Sequence, residues 1–152
     1  MKELLINNLE ETKALGLKMG KLAFPNMMVV LEGDLGAGKT TFSKAVALGL
    51  EIKEIVNSPT FVIMKTYKGR LPLYHIDAYR LSEASEDEYL EEYFEQGGVV
   101  IIEWGKNIEY LLPKEYLLIS IKDLGLEKRK FSFKAFGMKY QKLLEEVLKW
   151  MH

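Results

Sequence analysis

The sequence contains no cysteine, which limits both its chemistry and its surroundings. Without cysteine the chain can form neither a disulfide bond nor a cysteine-ligated zinc site, and this fits a reducing compartment. Its apolar runs, such as residues 99–102, are far shorter than the roughly 20 residues that a membrane-spanning helix needs. The first residues also lack an apolar run of signal-peptide length. We therefore expect a cytoplasmic protein that makes no membrane contact.

The sequence also lacks an excess of either charge. Its 21 Lys and Arg residues nearly balance 22 Asp and Glu residues, for a net charge of −1. A stand-alone nucleic-acid-binding domain normally has a basic surplus, so that class is not indicated. The 152 residues, 48% of them hydrophobic, suffice for one domain with a substantial core. Since we find no internal repeat and no linker-like composition, we expect a single domain over residues 1–152.

Hydrophobic spacing predicts alternating strands and helices. Two short apolar runs bounded by turn signals, residues 27–31 and 99–102, predict strands that are buried on both faces. The other predicted elements are a strand at residues 4–6, helices at 9–22, 39–50, 85–94, 107–112 and 140–150, and hairpins at 61–77 and 116–136. The pattern favours an α/β fold with a mainly parallel central sheet, added antiparallel hairpins and helices on both faces.

One motif in this pattern points to phosphate chemistry. The segment Gly33–Thr40 matches G-x-x-x-x-G-K-[ST], the Walker A pattern, at every fixed position, between a predicted buried strand and a predicted helix. Glycine reaches positive φ at low cost, so such a loop can turn its backbone N–H groups toward an anion. The N-terminus of the following helix adds partial positive charge. The motif predicts a P-loop NTPase-like domain that binds a nucleoside triphosphate with Mg²⁺.

The motif also predicts a role for each of its side chains. Lys39 would reach the β- and γ-phosphate oxygens, the Thr40 hydroxyl would bind Mg²⁺, and Thr41 would contact the α-phosphate. No residue in the sequence identifies the base. The remaining nucleotide-binding positions are Gly33, Asp34, Leu35, Gly36, Ala37 and Gly38.

A carboxylate ends the second buried strand. Glu103 follows residues 99–102 at the place where P-loop proteins position the acid that serves Mg²⁺ or orients the attacking water. Ligand sites of α/β sheets collect at the carboxyl ends of strands, so this position favours a metal and catalytic role. The alternative is a solvated strand-end glutamate. The neighbouring Trp104 is either a core aromatic or a packing surface for a base or a partner.

Three other segments carry candidate groups. Strand alternation places Asp77 on one face with His75, where it could hold Mg²⁺ through water, and Arg80 could stabilise phosphate charge; a surface ladder is the alternative. Thr60, in Ser58-Pro59-Thr60-Phe61, lies where P-loop switches carry a hydroxyl that senses the γ-phosphate, unless the segment is an ordinary Ser-Pro turn. The basic strip, residues 128–130, is interpreted as a charged hairpin edge, with nucleic-acid contact as the alternative.

Four motifs, GDLGAGKTT, SPTF, HIDAYRL and IIEWG, occur in this order within residues 32–105. Together they resemble the bacterial TsaE family, also called YjeE, of P-loop ATPases in tRNA threonylcarbamoyladenosine (t6A) biosynthesis. The resemblance implies that ATP is the nucleotide and that hydrolysis is weak alone and dependent on a partner. It implies the TsaB–TsaD pair as that partner, which transfers the threonylcarbamoyl group to adenosine 37 of tRNAs reading ANN codons. Whether the chain touches tRNA itself stays open.

The resemblance also implies which positions act. Glu103, Asp77 and Lys39 become the predicted catalytic residues. After E-W-G the family often has an acidic residue, and this chain has Lys106, which changes the local charge. The positions implicated by the resemblance are Lys39, Thr40 and Thr41 for nucleotide and Mg²⁺, Thr60 for a switch-like loop, and Asp77, Glu103 and Trp104 for activity.

Two other functions use the same loop. Small-molecule and nucleoside kinases usually close an arginine-rich lid over the transferred phosphoryl group, and this chain has only three arginines and no obvious lid insertion. The third hypothesis is a non-catalytic module, in which bound ATP orders a surface that a partner recognises. Slow hydrolysis and pure switching use the same residues.

Overall fold

The computed structural model of the chain describes residues 1–34, 36–56, 64–78 and 88–151. The predictions made for Leu35, Thr60 and Arg80 lie outside these residues, as do those for the rest of the Ser58–Phe61 segment. The side chain of Lys106 is likewise outside the description.

In the described part of the chain, seven strands form one sheet in the order β1-β7-β6-β2-β5-β4-β3. The strands are β1 (Lys2–Ile6), β2 (Met28–Glu32), β3 (Met64–Tyr67), β4 (Leu73–Asp77), β5 (Val99–Glu103), β6 (Tyr116–Gly125) and β7 (Lys128–Phe136). The helices are α1 (Leu9–Lys21), α2 (Lys39–Gly49) and α3 (Met138–Trp150), with 3₁₀ segments at Glu88–Glu95 and Gly105–Leu111.

The sheet is parallel at its centre and antiparallel toward its edges. Strand β2 pairs in parallel with both β5 and β6, and β4 pairs in parallel with β5. The pairs β1–β7, β6–β7 and β3–β4 are antiparallel. The two predicted hairpins and the two predicted buried strands are therefore present, but the described sheet is mixed rather than mainly parallel. The three antiparallel pairings, two of them in hairpins, equal the three parallel pairings in number.

Local sequence explains where the elements begin. Helix α1 starts at Asn8, whose Oδ1 accepts a hydrogen bond from the Glu11 N–H at 2.9 Å, while Glu11 Oε1 accepts one from the Asn7 N–H at 2.9 Å. This reciprocal cap satisfies N–H groups that an uncapped helix leaves without a partner. Strands β2 and β5 are continuous apolar runs because both of their faces are covered. The described segments include no helix with the length and apolar character needed to cross a membrane.

The helices lie unevenly about the sheet. All three α-helices pack on one face, in a cluster with the side chains of Val29, Ile101 and Leu117. The 3₁₀ segments cover the other face, where Leu90 packs near Tyr74 and Val100 in a second cluster. The prediction of helices on both faces thus holds only with 3₁₀ segments, in place of α-helices, on the second face.

The packing of α1 on α2 is close because glycines line it. A Cβ atom at Gly20 would contact the Val46 carbonyl oxygen and lie 2.8 Å from Gly49 Cα. The N-terminus of α2 lies beside the carboxyl ends of β2 and β5, since α2 follows the loop after β2 and its first residue, Lys39, lies 3.9 Å from Glu103. In parallel strands those ends point in one direction, so the C-terminal residues of β2, β5 and β4 share one edge of the sheet.

Candidate functional site

The glycine loop, residues 33–38 between β2 and α2, turns with backbone angles that favour glycine. Gly36 and Gly38 have φ values of 82° and 110°, in a region that residues with a Cβ rarely enter. Gly38 immediately precedes α2 and has no side chain to cap the helix, and no acidic residue lies in the first turn. The first N–H groups of α2 are thus arranged as in anion sites at helix N-termini.

The loop is anchored on both sides. The Ala37 N–H donates to the Asp34 carbonyl at 3.0 Å, which closes a tight turn within the loop. The Arg129 Nε–H of β7 donates to the Ala37 carbonyl at 2.8 Å. Because a Cβ at Gly33 would lie 2.8 Å from the Ile121 carbonyl oxygen, the first glycine also sits directly against β6. These contacts hold the loop against the sheet.

Lys39, the first residue of α2, is brought together with the two residues that end β5. Its side chain is only 6% exposed, and its Nζ lies 3.9 Å from Glu103 Oε1. The same ammonium lies 4.2 Å from the centroid of the Trp104 ring, within the range of a cation–π interaction. The structure therefore places three sequence-predicted residues, from two separate segments, in mutual contact.

Glu103 has a second buried partner, His75 of β4. Glu103 is 4% exposed and His75 is fully buried. The His75 Nε2 lies 2.7 Å from Glu103 Oε2, and His75 Nδ1 has no hydrogen-bond partner among the described residues. An ionised carboxylate only accepts hydrogen bonds, so with Glu103 ionised the ring hydrogen lies on Nε2. Glu103 is thus held in place from within the sheet and is not a solvated strand-end glutamate.

Asp77 lies at the corresponding end of the neighbouring strand. It is in register with Glu103 across the parallel β4–β5 pair, and the Ala78 N–H donates to the Glu103 carbonyl at 2.9 Å. Strand alternation places Asp77 on the same face of the sheet as His75. Asp77 is half-buried, whereas His75 is fully buried. The two carboxylates therefore end adjacent strands, with Asp77 nearer to solvent.

Trp104 adopts a backbone conformation that is unusual for a bulky residue. Its φ of 62° and ψ of 39° lie in the left-handed region. Such conformations cost about 1–3 kcal/mol and persist where surrounding contacts enforce them, often at functional sites. The turn carries the chain from β5 into the second 3₁₀ segment while the half-buried indole covers the Lys39 ammonium. The ring also packs against the second hydrophobic cluster, so the interpretation as a core aromatic applies, while a role as a packing surface for a base or a partner stays a prediction.

The oxygen donors at this edge suit Mg²⁺ better than a soft metal. Within residues 1–34, 36–56, 64–78 and 88–151, no group of three His, Cys, Asp or Glu side chains is placed to hold a metal ion. Mg²⁺ is usually bound by one or two carboxylates together with substrate phosphates and water. The structure places the carboxylates of Glu103 and Asp77 at one edge of the sheet, at the ends of adjacent strands.

Sequence reasoning missed two residues of this site. His75 was placed on the face of Asp77, but its hydrogen bond to Glu103 follows from the β4–β5 register, which local sequence does not reveal. Arg129 was interpreted as part of a charged hairpin edge, and its side chain instead reaches the glycine loop. The only sequence signal for Arg129 was that it is one of three arginines in the chain.

Comparison with known proteins agrees with the four motifs. The family model described as "Threonylcarbamoyl adenosine biosynthesis protein TsaE" matches residues 6–131. The tRNA threonylcarbamoyladenosine biosynthesis protein TsaE of Bacillus subtilis (strain 168) is 52% identical over 141 residues, covering 92% of this chain and 89% of that protein. TsaE of Treponema pallidum (strain Nichols) is 41% identical over 124 residues, covering 76% and 87%.

A solved structure shows the same architecture. The crystal structure of Bacillus subtilis YdiB superposes on this chain with a TM-score of 0.86 at 43% sequence identity, covering 99% of this chain and 96% of that one. The match to the family model spans most of the sequence and includes every motif on which the resemblance was based. The prediction of the family is thereby confirmed: the chain belongs to the TsaE family of threonylcarbamoyl adenosine biosynthesis proteins.

Proposed function

We propose that this chain is an ATP-binding and ATP-hydrolysing subunit of t6A biosynthesis, with a P-loop NTPase-like fold. It acts with the TsaB–TsaD pair, which modifies adenosine 37 of tRNAs reading ANN codons, and drives a step of that cycle by hydrolysis. The names of its relatives in Bacillus subtilis and Treponema pallidum support the pathway. Support for the chemistry comes from the geometry at the carboxyl ends of β2 and β5.

The observation that carries this proposal is the buried Lys39 ammonium. Burying a charge is costly unless it is paired. The 3.9 Å between Lys39 Nζ and Glu103 Oε1 is an ion-pair distance and is longer than a hydrogen bond. A polyphosphate bound on the glycine loop offers this ammonium acceptors at hydrogen-bonding distance and more negative charge. The site is therefore built around a cation whose best counter-ion is a phosphate.

The loop and helix complete the phosphate site. The amide hydrogens of Gly36, Gly38 and the first turn of α2 would supply donors, and the helix dipole adds partial positive charge. No carboxylate in the first turn of α2 opposes an anion there. Thr40 would hold Mg²⁺ together with Glu103, and Asp77 would reach it through water. Mg²⁺, when bound, neutralises charge on the β- and γ-phosphates.

Glu103 is the residue best placed to act on water. The hydrogen bond from His75 to Oε2 fixes the carboxylate and leaves Oε1 on the side of Lys39. Glu103 would orient a water whose oxygen forms the new bond to the γ-phosphorus while the bond to the ADP oxygen breaks. The water proton passes to the Glu103 carboxylate. Trp104 covers the Lys39 ammonium and would keep bulk water from this edge of the site.

Binding is tested by calorimetry with Mg–ATP on the wild-type chain, Lys39→Ala and Lys44→Ala. Lys44 is an exposed lysine of the same helix and makes a matched control for the change in charge. We expect Lys44→Ala to bind as the wild type does. Lys39→Ala should bind Mg–ATP about tenfold to a hundredfold more weakly, because it loses a charge-assisted hydrogen bond to phosphate. No uptake of Mg–ATP by folded wild-type protein at millimolar nucleotide would overturn the proposal.

Partner dependence is tested by measuring ATP hydrolysis with and without purified TsaB–TsaD. We expect slow hydrolysis by the chain alone and a higher rate when the pair is added. An unchanged rate would indicate an independent enzyme. Binding of Mg–ATP with no hydrolysis in either condition would indicate a nucleotide-dependent interaction module.

A further inference from the structure

One side chain links the β6–β7 hairpin to the glycine loop. The Arg129 guanidinium donates through Nε to the Ala37 carbonyl at 2.8 Å. Through NH1 it donates to Asp123 Oδ1 at 2.9 Å, to the Leu126 carbonyl at 2.9 Å and to the Lys128 carbonyl at 2.8 Å. The side chain is only 16% exposed, although Arg129 follows the exposed hairpin turn, residues 122–128. Arg129 therefore connects the turn of the hairpin to the loop.

The neighbours of Arg129 in the basic strip do something different. Lys128 is exposed, and Lys130 forms an ion pair with Glu3 of β1 at 3.3 Å, at the edge of the sheet. These two lysines fit the interpretation of the strip as a charged hairpin edge. Arg129 does not, because its guanidinium faces the loop and is occupied by backbone carbonyls. The role of Arg129 is thus distinct from that of the strip around it.

We propose that Arg129 is a positioning residue for nucleotide binding, which sets the direction of the Gly38 amide in the glycine loop. The inference rests on the proposed function, since it assigns Arg129 to the same phosphate site. A trans peptide unit is planar, with its C=O and N–H bonds pointing in opposite directions. With the Ala37 carbonyl held toward Arg129, the Gly38 N–H of that same peptide points away from Arg129. Arg129 thereby presents one loop amide to the anion and touches no phosphate itself.

The chemistry of arginine suits this task. A guanidinium is a rigid, always charged fork with five N–H donors, whereas lysine has one flexible ammonium. Here the Asp123 carboxylate and two turn carbonyls hold NH1, so that Nε is aimed at a single loop carbonyl. A Cβ added at Gly38 would lie 3.6 Å from Nε, so the guanidinium is already in van der Waals range of the loop. The fork therefore restrains a segment that glycine would otherwise leave free.

If Arg129 orders the glycine loop before the nucleotide binds, it should increase the affinity for Mg–ATP. A loop that becomes ordered only on binding loses conformational entropy, and this loss lowers the affinity. A loop that is already ordered in the free protein avoids that loss. We expect Arg129→Lys to weaken Mg–ATP binding by about tenfold, because the lost hydrogen bond orients a donor to charged oxygen. The turnover number of the bound complex should change less than the affinity, because Arg129 contacts neither Glu103 nor Lys39 in the described structure.

Arg70 offers a matched control. Its NH2 donates to the Gly20, Lys21 and Ala23 carbonyls at 2.9, 3.4 and 3.2 Å, at the C-terminal end of α1. Arg70→Lys therefore makes the same chemical change at another arginine that binds backbone carbonyls, but away from the loop. We expect both variants to lower the melting temperature. Only Arg129→Lys should weaken Mg–ATP binding measured by calorimetry well below that temperature.

A second measurement does not depend on nucleotide. Amide hydrogen exchange of the free protein should be faster in residues 36–38 of Arg129→Lys and unchanged there in Arg70→Lys. If Arg129→Lys does not fold, Asp123→Asn keeps the guanidinium but removes its ion pair, and it should raise the Kd for Mg–ATP a few-fold. Wild-type affinity in a folded Arg129→Lys variant would overturn the inference and leave the proposed function standing. Failure of the wild-type chain to bind Mg–ATP would instead overturn the proposed function.

Discussion

The Nε2 of His75 lies 2.7 Å from Oε2 of Glu103, between two side chains that are almost wholly buried. The pair joins β4 to β5 near the carboxyl ends of these parallel strands, the edge of the sheet that carries the candidate site. Because the contact is inside the sheet, the carboxylate cannot rotate away without leaving a buried donor unsatisfied. The orientation of the Glu103 carboxylate is thus fixed by a contact within the sheet, and not by a mobile surface group.

Removing this hydrogen bond should affect both stability and catalysis. We expect His75→Phe to lower the free energy of unfolding by about 1–3 kcal/mol, because Glu103 Oε2 loses its buried donor. In a chain of this size that corresponds to a melting temperature lower by roughly 2–12 °C. His75→Gln keeps an N–H donor and should recover part of the loss.

The kinetic consequence separates positioning from a merely structural role. In ATP hydrolysis, His75→Phe should lower kcat more than it raises KM, because the hydrogen-bond partner of His75 is Glu103, the residue proposed to act on water. His75→Gln should restore part of kcat. Equal kcat values for His75→Phe and the wild type, both folded, would contradict the role we give to this contact.

Much of the fold could be predicted because its signals are local. The glycine loop lies between an apolar run and an amphipathic helix, and the described structure has β2 and α2 there. The proximity of Lys39 and Glu103 also followed from a general rule, since carboxyl ends of parallel strands share one edge of the sheet. These predictions needed only hydrophobic periodicity, turn residues and the rule that the carboxyl ends of parallel strands lie at the same edge of a sheet.

The remaining features depend on register and on long-range packing. Whether His75 meets Glu103 is decided by how β4 aligns with β5, and a shift of one residue would turn His75 to the other face. Arg129 reaches Ala37 across 92 positions of sequence, and nothing near Arg129 distinguishes it from a solvated hairpin cation. The 3₁₀ form of Glu88–Glu95 likewise reflects packing on the sheet, because its local sequence is compatible with an α-helix.

Neutralising Glu103 should separate hydrolysis from binding. Glu103→Gln keeps the size of the side chain and an oxygen that His75 can bond, but it removes the charge. We expect the hydrolysis rate to fall about a hundredfold or more, the usual contribution of a positioned base. Mg–ATP affinity in calorimetry should change much less, because Lys39 and the loop amides still bind the phosphates. A matched control is Glu32→Gln: Glu32 ends β2 and accepts a hydrogen bond from Ser120 Oγ at 3.2 Å. Normal hydrolysis by Glu103→Gln would show that its assigned role is wrong.

Gly20 of α1 should resist even the smallest substitution. In a helix interior alanine is favoured over glycine by about 1 kcal/mol, so propensity alone predicts that Gly20→Ala is stabilising. A Cβ there would instead contact the Val46 carbonyl oxygen, and overpacking of a core costs about 1–3 kcal/mol or more. We expect the cost of this steric overlap to exceed the gain in helix propensity, so that Gly20→Ala lowers the midpoint of urea unfolding. Lys13→Ala, on the exposed face of α1, should leave the midpoint nearly unchanged.

Tyr140 ties α3 to the central strand and should give stability a dependence on alkaline pH. Its hydroxyl oxygen accepts a hydrogen bond from the Met28 N–H at 2.8 Å. Burial raises the pKa of the Tyr140 hydroxyl above its ordinary value of 10.0, the Met28 N–H opposes that shift, and the Glu115 carboxylate adds to it. At neutral pH, Tyr140→Phe leaves the Met28 N–H without this acceptor and should cost about 1–3 kcal/mol.

The sign of the pH effect follows from proton linkage at Tyr140. Above about pH 10 the unfolded chain loses the tyrosine proton before the folded chain does, so the folded state binds more protons and its stability falls as pH rises. Tyr140→Phe lacks this group, while the other tyrosines and the lysines titrate in both proteins. The stability gap between wild type and Tyr140→Phe in urea denaturation should therefore be constant up to about pH 9 and narrow through about pH 11. A gap that widens over that interval would mean that the folded protein favours the ionised hydroxyl, and the buried contact with Met28 would then need a different explanation.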